Sequence, residues 1–315
     1  MAAMTQSRDA VTGAFGFTGR ALAEALLSAG REVVTLSRRS GRGDPLAPRL
    51  AAIRPLDFGQ PDRLAEALAG VDTLYNTYWM RFPRGGRTFD DVVRESGLLL
   101  EAAARAGVRR LVHVSVVGAD AAGETPYVRA KGRLEALVRS SGLEFTIVRP
   151  TLTYGPGDIL INNLAWALRR LPVYGIPGRG RYRVQPVHVD DVARICVEAA
   201  AEPPGATIDA AGPETLEYRE LVALVRSAIG SRALVLPMPT PVVLAAGKVI
   251  GVLVRDVVLT QDELRELMGS LLTSTGTPRG RIRLSEWLPE HATELGRRWA
   301  SELARNYRGV VSVRG

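Results

Sequence analysis

The sequence predicts an α/β protein, a Rossmann-type doubly wound parallel sheet with a smaller C-terminal lobe. Three observations carry that expectation. Short apolar or β-branched runs alternate with helical patterns up to about residue 150, and a glycine-rich turn stands at the first strand-to-helix junction. The 315 residues, 46% hydrophobic and 23% charged, also suffice to bury a sizeable core.

In chain order, strands are expected at 9–12 (DAVT), 31–36 (REVVTL), 51–56 (AAIRPL), 72–76 (DTLYN), 109–115 (RRLVHVS) and 144–149 (EFTIVR). Leu22, Leu26 and Leu27 share one side of a helix over 19–29 that Gly30 ends, and Leu98, Leu99 and Ala102 continue another over 97–106 that stops at Gly107. Strand, helix, strand in this rhythm requires crossovers, hence parallel pairing with helices on both faces. After residue 150 the chain turns proline- and glycine-rich (RPTLTYGPGDILINN, then LPVYGIPGRGRYRVQPVHVDDVA). A helix and strand (VARICVEAAA, ATIDAAG) follow, and then a mainly helical tail over 216–306. The expected division is a dinucleotide-binding core over 9–158, to which 185–210 return, and a smaller, mainly helical substrate lobe of 159–184 and 211–315. That lobe is expected over the carboxyl ends of the strands, where open α/β sheets bind ligands.

Composition excludes several classes. The lone cysteine, Cys196, has no partner for an internal disulfide and lies in an apolar helical pattern, so a buried inert thiol is expected. No N-terminal stretch joins basic residues to an apolar segment, so a cytoplasmic protein without a signal peptide is expected, its polar start MTQSRD irregular. Residues 241–259 are the most membrane-like, but Lys248 and Arg255 interrupt them. They are expected not to span a bilayer, though peripheral membrane contact through an amphipathic helix is left open. The formal charge of +8 comes from scattered pairs such as Arg109-Arg110 and Arg169-Arg170, with no basic block interleaved with aromatics. A solvated basic surface is expected, and no nucleic acid. A monomer or homodimer acting on a small molecule is the expected form.

The turn VTGAFGFTGR spaces Gly13, Gly16 and Gly19 three apart. Gly13 suits a tight turn, Gly16 lets backbone approach a bound group, and Gly19 lets the first helix pack on the sheet with a pyrophosphate at its positive N-terminus. The first gap is one residue longer than in G-x-G-x-x-G, and a plain turn would look similar, but the strand-to-helix context favours a dinucleotide. Phe15, Phe17 and Thr18 share that turn. The second strand ends in TLSRRS, where Arg38 and Arg39 replace the acid that would hold a ribose 2′-hydroxyl. Guanidinium forks suit a 2′-phosphate, so NADP(H) is the expected cofactor, against the alternative of an arginine-rich surface loop.

Tyr127 and Lys131, four apart at the head of a helical pattern, share one face. A neighbouring ammonium favours a phenolate, which suits acid–base work, and Ser115 at the end of a strand can hydrogen-bond a substrate oxygen. Chance spacing is the alternative. Against it, only two of the 41 basic residues are lysine, so Lys131 marks a place where a compact ammonium is wanted rather than a planar fork.

These features, with VRPTLTYGPGD and PVHVDDVA, resemble the short-chain dehydrogenase/reductase superfamily over about 9–230. The likeness is strongest to its extended and atypical branches: proteins similar to the NADPH-binding accessory subunit of respiratory complex I and the NmrA-like group. The resemblance implies that Tyr127 exchanges the proton, Lys131 holds the nicotinamide ribose, Ser115 orients the substrate carbonyl and Asp57 contacts the adenine. Phe58 and Asn76 complete the expected cofactor-binding set. The stretch DVVRESGLLLEAA lacks the asparagine that active members often place there, and the atypical branches include NADPH binders without a known reaction. The function expected is therefore hydride transfer to or from a carbonyl or alcohol carbon. A non-catalytic NADPH sensor or scaffold, and a sugar-nucleotide epimerase or dehydratase, are the alternatives.

Other candidates are read more plainly. His188 with Asp190 and Asp191 is not a metal set, and an aspartate is expected to cap the following helix. His113 is expected in the core and His291 at the surface. The aromatic run 75–82 either walls a nicotinamide pocket or fills core, and nothing independent gives Asn162 or Asn163 a role.

Overall fold

A computed structural model describes residues 8–307. Of the start expected to be irregular, residues 4–7 lie outside the described residues, whereas Arg8 and Asp9 open the first strand. In chain order the elements are β1 (Arg8–Thr12), α1 (Phe17–Ser28), β2 (Glu32–Ser37), β3 (Ala52–Pro55), α2 (Pro61–Glu66), β4 (Thr73–Asn76), α3 (Phe89–Arg105), β5 (Arg110–Val114), α4 (Pro126–Arg139) and β6 (Glu144–Pro150). They continue with β7 (Leu152–Tyr154), α5 (Leu160–Arg170), β8 (Val173–Pro177), β9 (Arg183–Val184), β10 (Pro186–His188), α6 (Val189–Ala199) and β11 (Ala206–Ala210). The remainder holds β12 (Leu216–Glu217), α7 (Tyr218–Ala228), β13 (Leu234–Met238), α8 (Thr240–Val254), α9 (Gln261–Met268), α10 (Leu284–His291) and α11 (Glu302–Asn306).

The described chain divides into two compact units, residues 8–150 with 192–209, and residues 151–191 with 210–307. The first is a seven-stranded sheet in the order β3-β2-β1-β4-β5-β6-β11. All five pairings among β1 to β6 are parallel, as in the doubly wound fold. The central strands are buried on both faces, which is why they read as continuous apolar runs: all four residues of β4 are buried, as are the last four of β1. Two charges that enter this core find partners there. Buried Asp9 receives Arg31 through Nε at 2.7 Å and Nη2 at 3.0 Å, and buried Arg110 donates to Thr146 Oγ1 and to the Ala199 and Glu202 carbonyls. Cys196 is fully buried, and burial pushes its thiol up to about 12, as befits an inert packed residue.

The units divide after Pro150, where β7 leaves the large sheet and pairs in parallel with β10. The second unit adds two further small ribbons, β9 with β12 antiparallel and β8 with β13 parallel. Its core joins Ile161 and Leu164 of α5, Leu221 and Val225 of α7, Leu264 of α9 and Trp287 of α10. The tail expected to be mainly helical therefore also supplies a strand, β13, whose five residues all pair with β8.

Long-range bonds hold that tail. Asn163 both donates to the Ala300 carbonyl and accepts its amide, while Asn162 Oδ1 accepts from Gly296. Asp191 Oδ2 accepts the amides of Arg281 (2.7 Å) and Ile282 (2.8 Å), and at the head of α6 it is His188 Nδ1 that accepts the Asp190 amide at 3.2 Å. The cap expected from an aspartate is thus supplied at Asp190 by the preceding imidazole. His291 is half-buried rather than at the open surface, stacked on Trp287 at a centroid distance of 4.2 Å. Among the described residues no cluster of His, Cys, Asp and Glu could hold a metal ion, and no helix is long and apolar enough to cross a membrane.

Candidate functional site

Every residue that the sequence nominates falls in the first unit. The order of the sheet reverses between β1 and β4, so the turns leaving these two strands flank a crevice at their carboxyl ends. Gly13 leaves β1 with φ +70°, a conformation open to glycine, and its amide donates to the Leu36 carbonyl at 2.9 Å. The Gly16 amide closes back on the Gly13 carbonyl at 2.8 Å. A methyl on Gly19 would lie under 3.0 Å from that same carbonyl oxygen and 2.8 Å from its carbon, so helix α1 can approach the turn only through glycine. Gly16 is the N-cap of α1 and provides no capping side chain, and the first turn of the helix carries no acid. The positive end of α1 therefore meets no side-chain anion of its own.

Buried polar groups brace the turn from behind. Thr35 Oγ1 accepts the Ala14 amide at 3.1 Å, and Thr12 Oγ1 accepts the Thr77 amide at 2.8 Å. Asn76, expected at the cofactor, is fully buried. Its Oδ1 accepts from Thr12 Oγ1 and from the Tyr78 amide, and its Nδ2 meets His113 Nδ1 at 3.3 Å. His113 is the expected core histidine: burial, reinforced by Lys131, pushes it down to about 3, which keeps it neutral.

At the end of β2, Arg39 is half-buried and donates from Nη1 to the Phe15 carbonyl at 3.1 Å. Burial first and Arg38 second pull its affinity for the proton down, against Asp44. Arg38 is exposed, its guanidinium 5.9 Å from the centroid of the Tyr78 ring. Phe15 is buried, its ring against Gly41, while Phe17 and Thr18 are half-buried at the head of α1. Asp57 shapes its own loop by accepting the Gly59 amide (2.9 Å) and Gln60 Nε2 (2.7 Å), and Phe58 packs on Tyr78 with centroids 5.0 Å apart.

The expected catalytic residues lie just after β5 and at the head of α4. Thr125 caps α4 by accepting the Val128 amide at 3.2 Å, Pro126 occupies its first turn, and Tyr127 and Lys131 follow on one face. Lys131 is buried, its Nζ donating to the Val114 carbonyl at 3.3 Å, directly before Ser115. Burial pushes this ammonium down to about 7, against the pull of Glu135. Glu135 is itself held by Arg149 through Nε (2.8 Å) and Nη2 (2.5 Å). The Ser115 hydroxyl is buried with no hydrogen-bond partner, a donor poised for an oxygen that the described residues do not supply.

Trp79 was legible only as a member of the aromatic run. Its ring lies 4.1 Å from Lys131 Nζ, stacks on Phe89 (5.7 Å, 10°) and meets Tyr127 edge-on (5.7 Å, 86°). Its Nε1 is buried and unpartnered. One indole thus joins both halves of the Tyr127–Lys131 pair, a cation–π contact on one and an aromatic wall on the other. Within the run Tyr75 and Tyr78 are core, and half-buried Trp79 packs on that core beside Tyr127 and Lys131.

The sheet order, the crevice and the glycine turn define a dinucleotide-binding Rossmann protein. The sequence model of the NAD(P)H-binding family matches residues 13–203, and the chain belongs to that family. It is 28% identical over 248 residues to the mitochondrial NADH dehydrogenase [ubiquinone] 1 alpha subcomplex subunit 9 of Arabidopsis thaliana, covering 75% of this chain but only 62% of that protein's length. It is also 28% identical over 247 residues to the ceramide reductase of Caulobacter vibrioides, covering 76% of each chain. Among solved structures it resembles MoeE5 in complex with UDP-glucose and NAD, with a TM-score of 0.65 and 24% identity over 91% of this chain and 98% of that one, a likeness of fold.

Proposed function

We propose that this protein is an NADP(H)-dependent oxidoreductase that reduces a carbonyl, or oxidises the corresponding alcohol, on a small molecule. The observation that carries this reading is the cradle of Gly13, Gly16 and Gly19 at an uncapped helix N-terminus, in one unit with a buried, unpartnered Ser115 hydroxyl and a Tyr127–Lys131 pair. The residues fit a dinucleotide: the turn and the head of α1 would hold its pyrophosphate, and among the described residues exposed Arg38 has no carboxylate partner to compete with a 2′-phosphate. When bound, the cofactor supplies or accepts the hydride. Ser115 Oγ orients the carbonyl oxygen, and Tyr127 Oη delivers the proton that completes the alcohol, or removes it in the reverse direction. Lys131 stands one turn further along the same helix, where burial brings its ammonium down to about 7, so its charge responds to what binds there.

A second reading is favoured by one specific observation. The indole of Trp79 already covers Lys131 Nζ, the group that would hold the nicotinamide ribose, which suits a protein that binds the coenzyme without turnover. Screening carbonyl compounds for NADPH oxidation by wild type and by Tyr127→Phe separates the two. Activity that falls about a hundredfold or more in the variant, with NADPH affinity kept, establishes the oxidoreductase. Activity indifferent to the change excludes Tyr127 as the acid, and tight binding with no turnover of any compound supports the second reading.

A further inference from the structure

Helix α8 and strand β13 carry a surface that the proposed chemistry does not use. No residue of α8 is buried, although its 15 residues, TPVVLAAGKVIGVLV, include no acid and a single charge. Leu244 turns toward the core of the unit, whereas Val242, Val249, Val252 and Leu253 are 48%, 62%, 78% and 76% exposed. Their spacing of seven, three and one, with exposed Ala245 and Ala246 between, makes a continuous apolar stripe along one side of the helix. Leu234 and Leu236, alternate residues of β13 and so on one face of it, add 59% and 45% exposed leucines just before α8 begins. Of all the large exposed hydrophobics among the described residues, only Leu137 lies outside 234–271. Concentration on that scale marks an interaction surface rather than scattered surface leucines.

The charges around the stripe indicate what covers it. Between residues 230 and 260 the exposed charges are Arg232, Lys248 and Arg255, all positive. The one acid of the stretch, Asp256, is buried and spent on the amides of Val257, Glu302 and Leu303 and on Trp299 Nε1. Where β13 starts, Arg169, Arg170 and Arg232 line one cavity, and the first two line a second of about 440 Å³ with Arg297 and Arg298. None of these five arginines has a carboxylate partner among the described residues. Arg169 and Arg170 are held in place by backbone carbonyls, which leaves their charge uncompensated. An apolar stripe whose exposed charges between residues 230 and 260 are all cations complements a surface that is apolar beneath and anionic above. It opposes a second copy of the chain, whose own cations would meet these across a two-fold axis.

We propose that α8 and β13 dock this protein on an anionic lipid bilayer, with the apolar stripe entering the acyl boundary and Lys248, Arg255 and the arginine cavities meeting lipid phosphates. The docking does not depend on which reaction the first unit performs. It is tested on the full chain by sedimentation with vesicles of phosphatidylcholine alone or mixed with phosphatidylglycerol, with NADPH binding and the thermal midpoint followed on every variant. Wild type is expected to sediment with the mixed vesicles, and Val252→Asp/Leu253→Asp to remain in solution with its NADPH affinity and midpoint kept. Lys248→Ala/Arg255→Ala, which leaves the stripe intact, should bind about thirtyfold more weakly, roughly fivefold for each charge removed. Failure of wild type to sediment with mixed vesicles at low salt overturns the proposal. So does equal sedimentation by the Asp variant, or a wild-type dimer in analytical ultracentrifugation that the Asp variant dissociates while neither protein sediments with vesicles.

Discussion

Placing a methyl group on Gly19 tests the cradle at its narrowest point. In Gly19→Ala the new carbon would stand 2.8 Å from the Gly13 carbonyl carbon, against a normal carbon–carbon contact of about 3.5–4.0 Å. The turn or helix α1 must therefore yield by roughly 1 Å, and overpacking of this kind costs about 1–3 kcal/mol of stability. The same displacement moves the Thr18 and Gly19 amides off a bound pyrophosphate. Losing one charge-assisted hydrogen bond, about 1.5–3 kcal/mol, weakens dinucleotide affinity by roughly 10- to 150-fold. Gly97→Ala is the control, because a methyl there meets only Leu137 Cδ1 at 3.9 Å within helix α3. It should stabilise the fold by about 0.5–1 kcal/mol and leave affinity unchanged. Urea unfolding and fluorescence titration with NADPH measure both quantities. A Gly19→Ala protein that binds NADPH as tightly as wild type would refute the assignment of this turn to the pyrophosphate.

Two further substitutions follow from the same site. Arg38→Ala should weaken NADPH by roughly tenfold or more while sparing NADH, whereas Arg39→Ala should weaken both, because Arg39 also holds the Phe15 carbonyl of the turn. Equal losses of the two coenzymes in Arg38→Ala, read by calorimetric titration, would remove the 2′-phosphate from its role. Lys131→Met should stabilise the fold at neutral pH, because burial lowers the folded-state value of this ammonium to about 7 from an ordinary 10.5. Between those values the unfolded chain binds the extra proton, so this group makes wild-type stability rise with pH through that window, while below 7 its penalty is fully present. The advantage of the methionine variant should therefore shrink by about 2 kcal/mol between pH 7 and pH 9, and a difference independent of pH would show that Lys131 is not desolvated.

The parallel sheet was legible because its central strands are buried on both faces and most of its strands are separated by helices with a 3.6-residue stripe. The runs at 9–12, 31–36 and 72–76 coincide with β1, β2 and β4 to within a residue at each end. Strand β13 was missed because Leu234–Met238 belongs to a two-stranded ribbon, is largely exposed and ends against a proline, so that no alternation sets it apart from the helices around it. The roles of Asn162, Asn163 and Asp191 depend on partners about 90 to 140 positions away, which local spacing does not encode. At the candidate site, the glycine turn and the Tyr127–Lys131 pair could be nominated because each has a fixed spacing. Asn76 was nominated at the right strand end, yet its amide is spent on Thr12, Tyr78 and His113, and it acts on the turn from behind. Trp79 left no signal of its own among neighbouring aromatics that prove to be core.

The most direct measurement of the central claim is hydrogen–deuterium exchange across residues 13–20 with and without saturating NADPH. A pyrophosphate seated on the first amides of α1 predicts slower exchange at Thr18 and Gly19, and less of that protection in Gly19→Ala. Exchange there that is unchanged by coenzyme, at concentrations where binding is complete, would contradict the account.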